Sequence, residues 1–260
     1  MYSNYLRVLG SADWHQTAFN DHSCYTINDN ILIDACPSVV THLQEHGVDP
    51  IDIPVICFTH MHCDHIMGLP PILHYWYVCK NKNLGELTII GPKATIHKKV
   101  KQALSFMFGS DEEIQASIRE MPQIIEMEGN MAMDLPGFRV MTINSHHAVP
   151  GICYRIQDLN SGKTVGFTGD TAYIPEFGMF FKETDLLLHE VSYGAGPVKP
   201  GNPGGHSSAE EAVRVCREAD VKRLLLTHTY EPNRDGALAA VRRNLSIPVE
   251  WAVPHQVYPF

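Results

Sequence analysis

The chain has 260 residues, 44% of them apolar, with 29 acidic against 20 basic side chains and a formal net charge of −9. This is enough apolar material to bury a sizeable core as a single domain over residues 1–260, and no linker divides it. The acidic balance makes nucleic acid an unfavoured partner, because basic patches drive binding to polyanions, and no apolar run approaches the ~18 residues that cross a bilayer. Seven scattered cysteines (Cys24, Cys36, Cys57, Cys63, Cys79, Cys153, Cys216) contain no C-x-x-C pair, which argues against a disulfide framework and for a reducing compartment. Residues 1–7 lack the basic start and apolar stretch of a signal peptide. A cytoplasmic protein with no membrane partner is expected.

Short β-branched and apolar runs predict strands at 5–9, 23–28, 30–34 and 53–58, with a helix at 37–46. The run Ile53-Pro-Val-Ile-Cys-Phe58 leads directly into Thr59-His-Met-His-Cys-Asp-His65, so His60, His62, Asp64 and His65 emerge where a strand ends. Imidazole and carboxylate donors suit zinc and its first-row neighbours, and an i, i+2 pair followed by an i+4, i+5 pair can serve two adjacent metals from one turn. A histidine-rich surface loop is the plain alternative. Helices follow at 66–82, 93–108 and 111–120, with a strand at 87–91. The cluster Lys93, Lys98, Lys99 and Lys101 reads as a solvated helix face rather than an RNA surface.

Strands at 138–145, 152–158, 164–169, 185–190, 222–227 and 248–253 alternate with helices at 207–219 and 235–244 in the second half. Ser207-Ser-Ala-Glu210 reads as a capping box, which places His206 immediately before a helix. Residues 194–205 are rich in Gly and Pro and form an expected loop bordering the site. The segments 12–16, 173–177 and 229–230 are further loops that shape a pocket, with aromatic residues suited either to ring stacking or to packing.

The pattern His60-x-His62-x-Asp64-His65 resembles the signature of the metallo-β-lactamase superfamily, and the resemblance spans nearly the whole chain. It implies an α/β (α+β) four-layer αβ/βα sandwich with a metal site along one edge of the sheets. It also implies a third His, a bridging Asp and a final His, matched in order by His147 of Ser145-His-His-Ala-Val-Pro150, Asp170 of Thr168-Gly-Asp170, and His228 of Leu224-Leu-Leu-Thr-His228. On this reading His60, His62 and His147 hold one metal and Asp64, His65 and His228 the other. Asp170 lies between them, and a hydroxide shared by two divalent ions attacks the substrate. Zinc is the expected ion, with manganese or iron(II) able to replace it. Adjacent strand residues face opposite ways, so only one of His146 and His147 should ligate; His147 fits better, but a bulge would let His146 serve instead. Cys63 falls on a variable spacer of the motif and reads as a small packing residue.

Leu186-Leu-Leu-His-Glu-Val-Ser-Tyr193 and the downstream His206-Ser-Ser-Ala-Glu resemble the corresponding segments of the ribonuclease Z branch, whose members cleave phosphodiesters. By that resemblance Glu190 orients His206, which helps protonate the leaving oxygen or stabilise the transition-state charge, while His189 is structural; the plain alternative is that His206 only caps the following helix. Asp64 can take a proton from the attacking water, and Asp34 hydrogen-bonds a metal-bound His from behind. The sequence departs from transfer-RNA processing members in two respects. Ile31-Leu-Ile-Asp-Ala-Cys-Pro-Ser38 replaces their glycine-rich turn, and only 22 residues separate His147 from Asp170, which leaves no room for an RNA-gripping arm. A small or cyclic phosphodiester is therefore the expected substrate, and a homodimer is expected by resemblance. The alternatives are a carboxyl-ester, lactone or thioester hydrolase, a transfer-RNA 3′ processing endonuclease, and a non-enzymatic metal-binding protein.

Overall fold

The computed structural model describes residues 4–198 and 200–260. Residues 1–3, part of the stretch read for a leader, and Lys199 of the Gly/Pro loop lie outside the described residues. The first sheet takes β1 (Tyr5–Gly10), β2 (Cys24–Ile27), β3 (Ile31–Ile33), β4 (Val55–Cys57), β5 (Thr88–Pro92) and β6 (Gln123–Met127). The second takes β7 (Met131–Leu135), β8 (Phe138–Asn144), β9 (Ile152–Asp158), β10 (Thr164–Phe167), β11 (Leu186–Glu190), β12 (Leu224–Thr227) and β13 (Val249–Trp251). β14 (Val257–Pro259) returns to the first sheet beside β1, giving the orders β14-β1-β2-β3-β4-β5-β6 and β13-β12-β11-β10-β9-β8-β7.

Each sheet is antiparallel through its first pairings and parallel through its last three. The parallel pairings require crossovers, and helices supply most of them. In the first half these are α1 (Val39–Glu45), α2 (Cys63–Ile66), α3 (Leu69–Cys79), α4 (Ile96–Phe108) and α5 (Asp111–Ser117); in the second, α6 (Phe177–Phe180), α7 (Ala209–Ala219) and α8 (Arg234–Asn244).

Period-2 alternation along the buried strands builds four layers. Leu32, Ile56 and Ile89 face α1, α3 and α4, while Ile31, Ile33, Val55, Cys57 and Ile90 face the other sheet. Leu187, Leu224 and Leu226 likewise face α7 and α8, while Leu186, Leu188 and Leu225 point into the inter-sheet core. Each such buried aliphatic side chain contributes about 1.5–3 kcal/mol by leaving water, so the pleat fixes which face each strand presents. The expected αβ/βα sandwich is the observed architecture.

Several expected elements differ. The helix expected at 66–82 is observed as α3 alone, with Ile66 ending the separate turn α2, because the Gly68 amide turns aside to bond the Ala35 carbonyl at 2.8 Å, and Pro70 and Pro71 fit only in a helix's first turn. The capping box lies one residue later than expected, on Ser208 and Glu211, so α7 begins at Ala209 and His206 stands before the cap rather than against the helix. β6, β7 and β14 were not anticipated. β7 is an edge strand, largely exposed, whose Met-Ala-Met-Asp-Leu sequence only half-buries Met133 and Leu135 against the inter-sheet core, so its alternation is a weak signal.

Candidate metal centre

β4 ends at Cys57, and the segment after it pairs across to the other sheet, where the Ile152 amide donates to the Thr59 carbonyl at 2.8 Å. That cross-link places His60 at the seam between the sheets. His62 caps the single turn α2, which projects Asp64 and His65 inward. The second sheet contributes His147 after β8, Asp170 after β10 and His228 after β12. Gly169 has φ +54°, and a Cβ there would lie 2.7 Å from Thr59 Cβ, so the chain reaches Asp170 only through a glycine.

The seven side chains form two groups that share one carboxylate. In the first, His62 Nδ1 lies 3.2 Å from His60 Nε2 and 3.0 Å from His147 Nε2, with Asp170 Oδ2 at 3.6 Å from His60 Nε2 and 3.9 Å from His147 Nε2. In the second, His228 Nε2 lies 3.4 Å from His65 Nε2 and 3.3 Å from Asp64 Oδ2. Asp170 Oδ1 stands 3.5 Å from His65 Nε2 and 3.4 Å from His228 Nε2. Donors bound tetrahedrally at 2.0–2.1 Å lie roughly 3.3–3.4 Å apart, and these separations scatter around that edge length. Asp170 Oδ1 is also buried without a hydrogen-bond partner, a costly arrangement that a cation would relieve. The residues fit a pair of divalent ions.

Four of the five imidazoles turn their other nitrogen to an orienting partner. His65 Nδ1 meets Asp34 Oδ2 at 2.7 Å, His60 Nδ1 meets Thr59 Oγ1 at 3.1 Å, His147 Nδ1 meets the Gly205 carbonyl at 3.0 Å, and His228 Nδ1 meets Ser192 Oγ at 2.9 Å. Asp34 also accepts from the amide and hydroxyl of Thr59, both at 2.8 Å, which ties the start of the motif to the residue behind His65. Gly205 has φ +63°, and a Cβ there would meet His146 O and His147 Cα at 2.6 Å. The Gly/Pro loop therefore borders the centre through direct backbone packing on His147.

Electrostatics follow from this crowding. Burial works against the ionised form of Asp170, yet His228, His65 and His60 hold its carboxyl well below the usual carboxylate range. Burial likewise opposes ionisation of Asp64, and the His228 hydrogen bond and the His65 charge overcome it. Burial, with the neighbouring His65, pushes His60 well below the ordinary imidazole value, so it stays neutral, the form that ligates.

Glu190, at the end of β11, is fully buried. Its Oε1 accepts from His206 Nδ1 at 2.9 Å and from the Thr171 amide at 2.8 Å, and its Oε2 accepts from the Ser192 hydroxyl at 2.6 Å. His206 Nδ1 lies 4.0 Å from Asp170 Oδ2, its side chain 23% exposed at the rim of the centre. Burial disfavours its charge, but Glu190, with Asp170 and Asp64 behind, outweighs burial and raises it to about 9.

Among the residues singled out in the sequence, His146 and Cys63 stand outside both groups and are exposed. The ring of His189 is fully buried, with Nδ1 against the Glu190 carbonyl at 2.7 Å. Lys93 and Lys101 pair with Glu128 and Asp111 on the surface. Sequence reasoning missed Ser192, which links Glu190 to His228, and Asn202, whose side chain holds the backbone of His206 through both its N–H and its carbonyl. Ser192 lies within the quoted 186–193 segment, but nothing in its spacing marks it; Asn202 sits in a loop with no periodicity.

A αβ/βα sandwich with two His/Asp groups on one carboxylate defines a metal-dependent hydrolase. The chain belongs to the beta-lactamase superfamily: residues 29–229 match the family model described as Beta-lactamase superfamily domain. It is similar to the Ribonuclease Z of Picrophilus torridus, 26% identical over 247 residues that span 77% of this chain and 77% of that protein. The solved metallo-beta-lactamase fold protein YhfI from Bacillus subtilis matches with a TM-score of 0.81 over 98% of both chains at 23% identity. The short form of human tRNase Z matches with a TM-score of 0.76 over 98% of both chains at 18% identity. These two likenesses concern the fold. Among the described residues, no helix is long and apolar enough to cross a membrane.

Proposed function

We propose that the chain is a phosphodiesterase for small or cyclic phosphodiesters. His60, His62 and His147 would hold one divalent ion, Asp64, His65 and His228 a second, and Asp170 would offer one oxygen to each. The donor set favours zinc and accepts manganese or iron(II). Bound there, the ions would supply a nucleophile at neutral pH and neutralise the phosphoryl oxygens.

The chain's own groups do the rest. Asp64, held ionised, accepts a proton from the attacking water. Glu190 fixes His206 through Nδ1 and keeps it protonated, so that Nε2 is the nitrogen available to protonate the departing alkoxide. The observation that carries the reading is this Glu190–His206 pair, 2.9 Å apart, beside the two His/Asp groups. An alkoxide leaving group needs such an acid.

The relative named Ribonuclease Z favours a second reading, transfer-RNA 3′ processing. The net charge of −9 weighs against it, as do the 22 residues between His147 and Asp170, which β9, β10 and their connections occupy. Metal-reloaded protein should cleave bis-p-nitrophenyl phosphate and a cyclic nucleotide in preference to a lactone, a thioester and a transfer-RNA precursor with a 3′ trailer. Cleavage of the precursor alone would establish the second reading, and cleavage of the acyl substrates alone would remove both. The same proposal takes residues 1–260 as one domain, working in the cytoplasm as a homodimer, which light scattering on eluted protein would test.

Two substitutions probe the assignment of ligands. His147→Ala should lower diester turnover by more than about 100-fold, while His146→Ala, an exposed side chain, should leave it within a few-fold. Equal losses would move the ligand. Asp34→Asn retains an acceptor for the Thr59 amide but removes the charge behind His65. It should weaken metal binding roughly 10–100-fold in competition with a chelator.

A further inference from the structure

A second set of imidazoles gathers away from this centre. α1 carries His42 and Glu45 and ends on His46 as its cap, an i, i+3, i+4 spacing that puts the three on one face. His255, in the turn between β13 and β14, meets that face. His46 Nε2 lies 3.1 Å from His255 Nδ1, and His42 Nδ1 lies 3.2 Å from Glu45 Oε2. The rings of His42 and His46 stand 5.0 and 5.3 Å from that of His255. One ligand atom from each of His42, Glu45 and His255 falls within 4.8 Å of the others.

His42 Nδ1 and Glu45 Oε2, 3.2 Å apart, are close to the ~3.3 Å edge expected for donors bound tetrahedrally to one zinc. Support from behind is also in place. Asp21 Oδ2 lies 3.4 Å from His42 Nε2, and Asp21 is itself fixed by the amides of His22 at 2.8 Å and Ser38 at 3.1 Å. A carboxylate on Nε2 leaves the Nδ1 lone pair turned toward Glu45 and His255. His255 is held in a left-handed conformation, φ +64°, with its amide donating to the Val8 carbonyl at 2.7 Å. Asp21 and His42 also converge with Cys36, but that side chain is fully buried and the Asp21 oxygens already serve backbone amides, so the outer face is the accessible one.

We infer that His42, Glu45 and His255, whose donor atoms converge within 4.8 Å, form a further divalent-cation site, separate from the hydrolytic centre and of the zinc class by its two imidazoles and one carboxylate, with His46 held against His255 beside it. The ion clamps the helix that follows Asp34 to the turn that returns the chain to the first sheet as β14. Its role is structural, since none of its three ligands belongs to the hydrolytic groups.

The test compares full-length wild type with His42→Ala/His255→Ala, and with His255→Asn as a milder variant whose side chain tolerates the left-handed turn. Metal-stripped proteins are dialysed against zinc and then against zinc-free buffer, and zinc is counted by mass spectrometry. Wild type should retain one more zinc per chain than either variant and gain more in Tm on zinc addition, with equal turnover of bis-p-nitrophenyl phosphate. The reading is the difference in count, which stands whatever number the hydrolytic centre keeps. Equal zinc content in wild type and both variants overturns the site.

Discussion

Asp170→Ala should abolish metal-dependent diester turnover, a loss of about a thousandfold or more, and it should do so without unfolding the chain. Asp170 sits where the two groups meet, with Oδ2 toward His60 and His147 and Oδ1 toward His65 and His228. No other side chain in the centre faces both. Removing it separates the two groups and also takes away the charge that, against burial, raises His65 and His228 above the ordinary imidazole value. Thermal unfolding of the stripped variant should stay cooperative but fall below that of the stripped wild type, because His65 and His228 lose the buried carboxylate that supports their charge. Retention of more than about a tenth of the activity would mean that the centre does not depend on a shared carboxylate.

The second large effect depends on the leaving group. His206→Ala should slow cleavage of a diester with an alkyl or ribose leaving group by about 10²–10⁴-fold, the usual contribution of a positioned acid. A p-nitrophenolate departs without a proton, so the same variant should lose little on bis-p-nitrophenyl phosphate. The pH dependence has a definite sign. His206 is the acid in its protonated form, and its value of about 9 keeps it protonated at neutral pH. Activity on alkyl diesters should therefore fall as pH rises toward 9, and bound dications, which disfavour an added positive charge, shift that midpoint lower. The alkaline limb should be absent in His206→Ala. Equal losses on both kinds of diester would make His206 a positioning residue instead.

How much of this was legible in the sequence follows from where each signal resides. The strand-then-ligand design is local. Val55–Cys57 before His60 and Leu224–Thr227 before His228 are buried runs whose ends carry candidate ligands, whereas the sandwich and the grouping of the side chains into two sets were implied by the resemblance to the superfamily signature. β6 and β7 could not be anticipated, because Gln123–Met127 and Met131–Leu135 are largely exposed or half-buried, and Ile124, Ile125, Met133 and Leu135 only partly cover the core, so their signal is weak. The capping box shifted by one because Ser207 and Ser208 are followed by Glu210 and Glu211, two equivalent frames in sequence. Ser207 Oγ instead donates to the Thr171 carbonyl at 2.7 Å, a contact from another part of the fold, and this leaves Ser208 as the cap. Ser192, Asn202 and Gly205 gain their roles in the same way, from contacts across the fold that no periodicity encodes.

Crystals of metal-stripped protein reloaded with zinc, with anomalous scattering measured across the zinc edge, test the central claim most directly. The account predicts two peaks about 3.5–4 Å apart, one among His60, His62 and His147, the other among Asp64, His65 and His228, with Asp170 reaching both. A single peak at the centre, or two that leave Asp170 unligated, would contradict it.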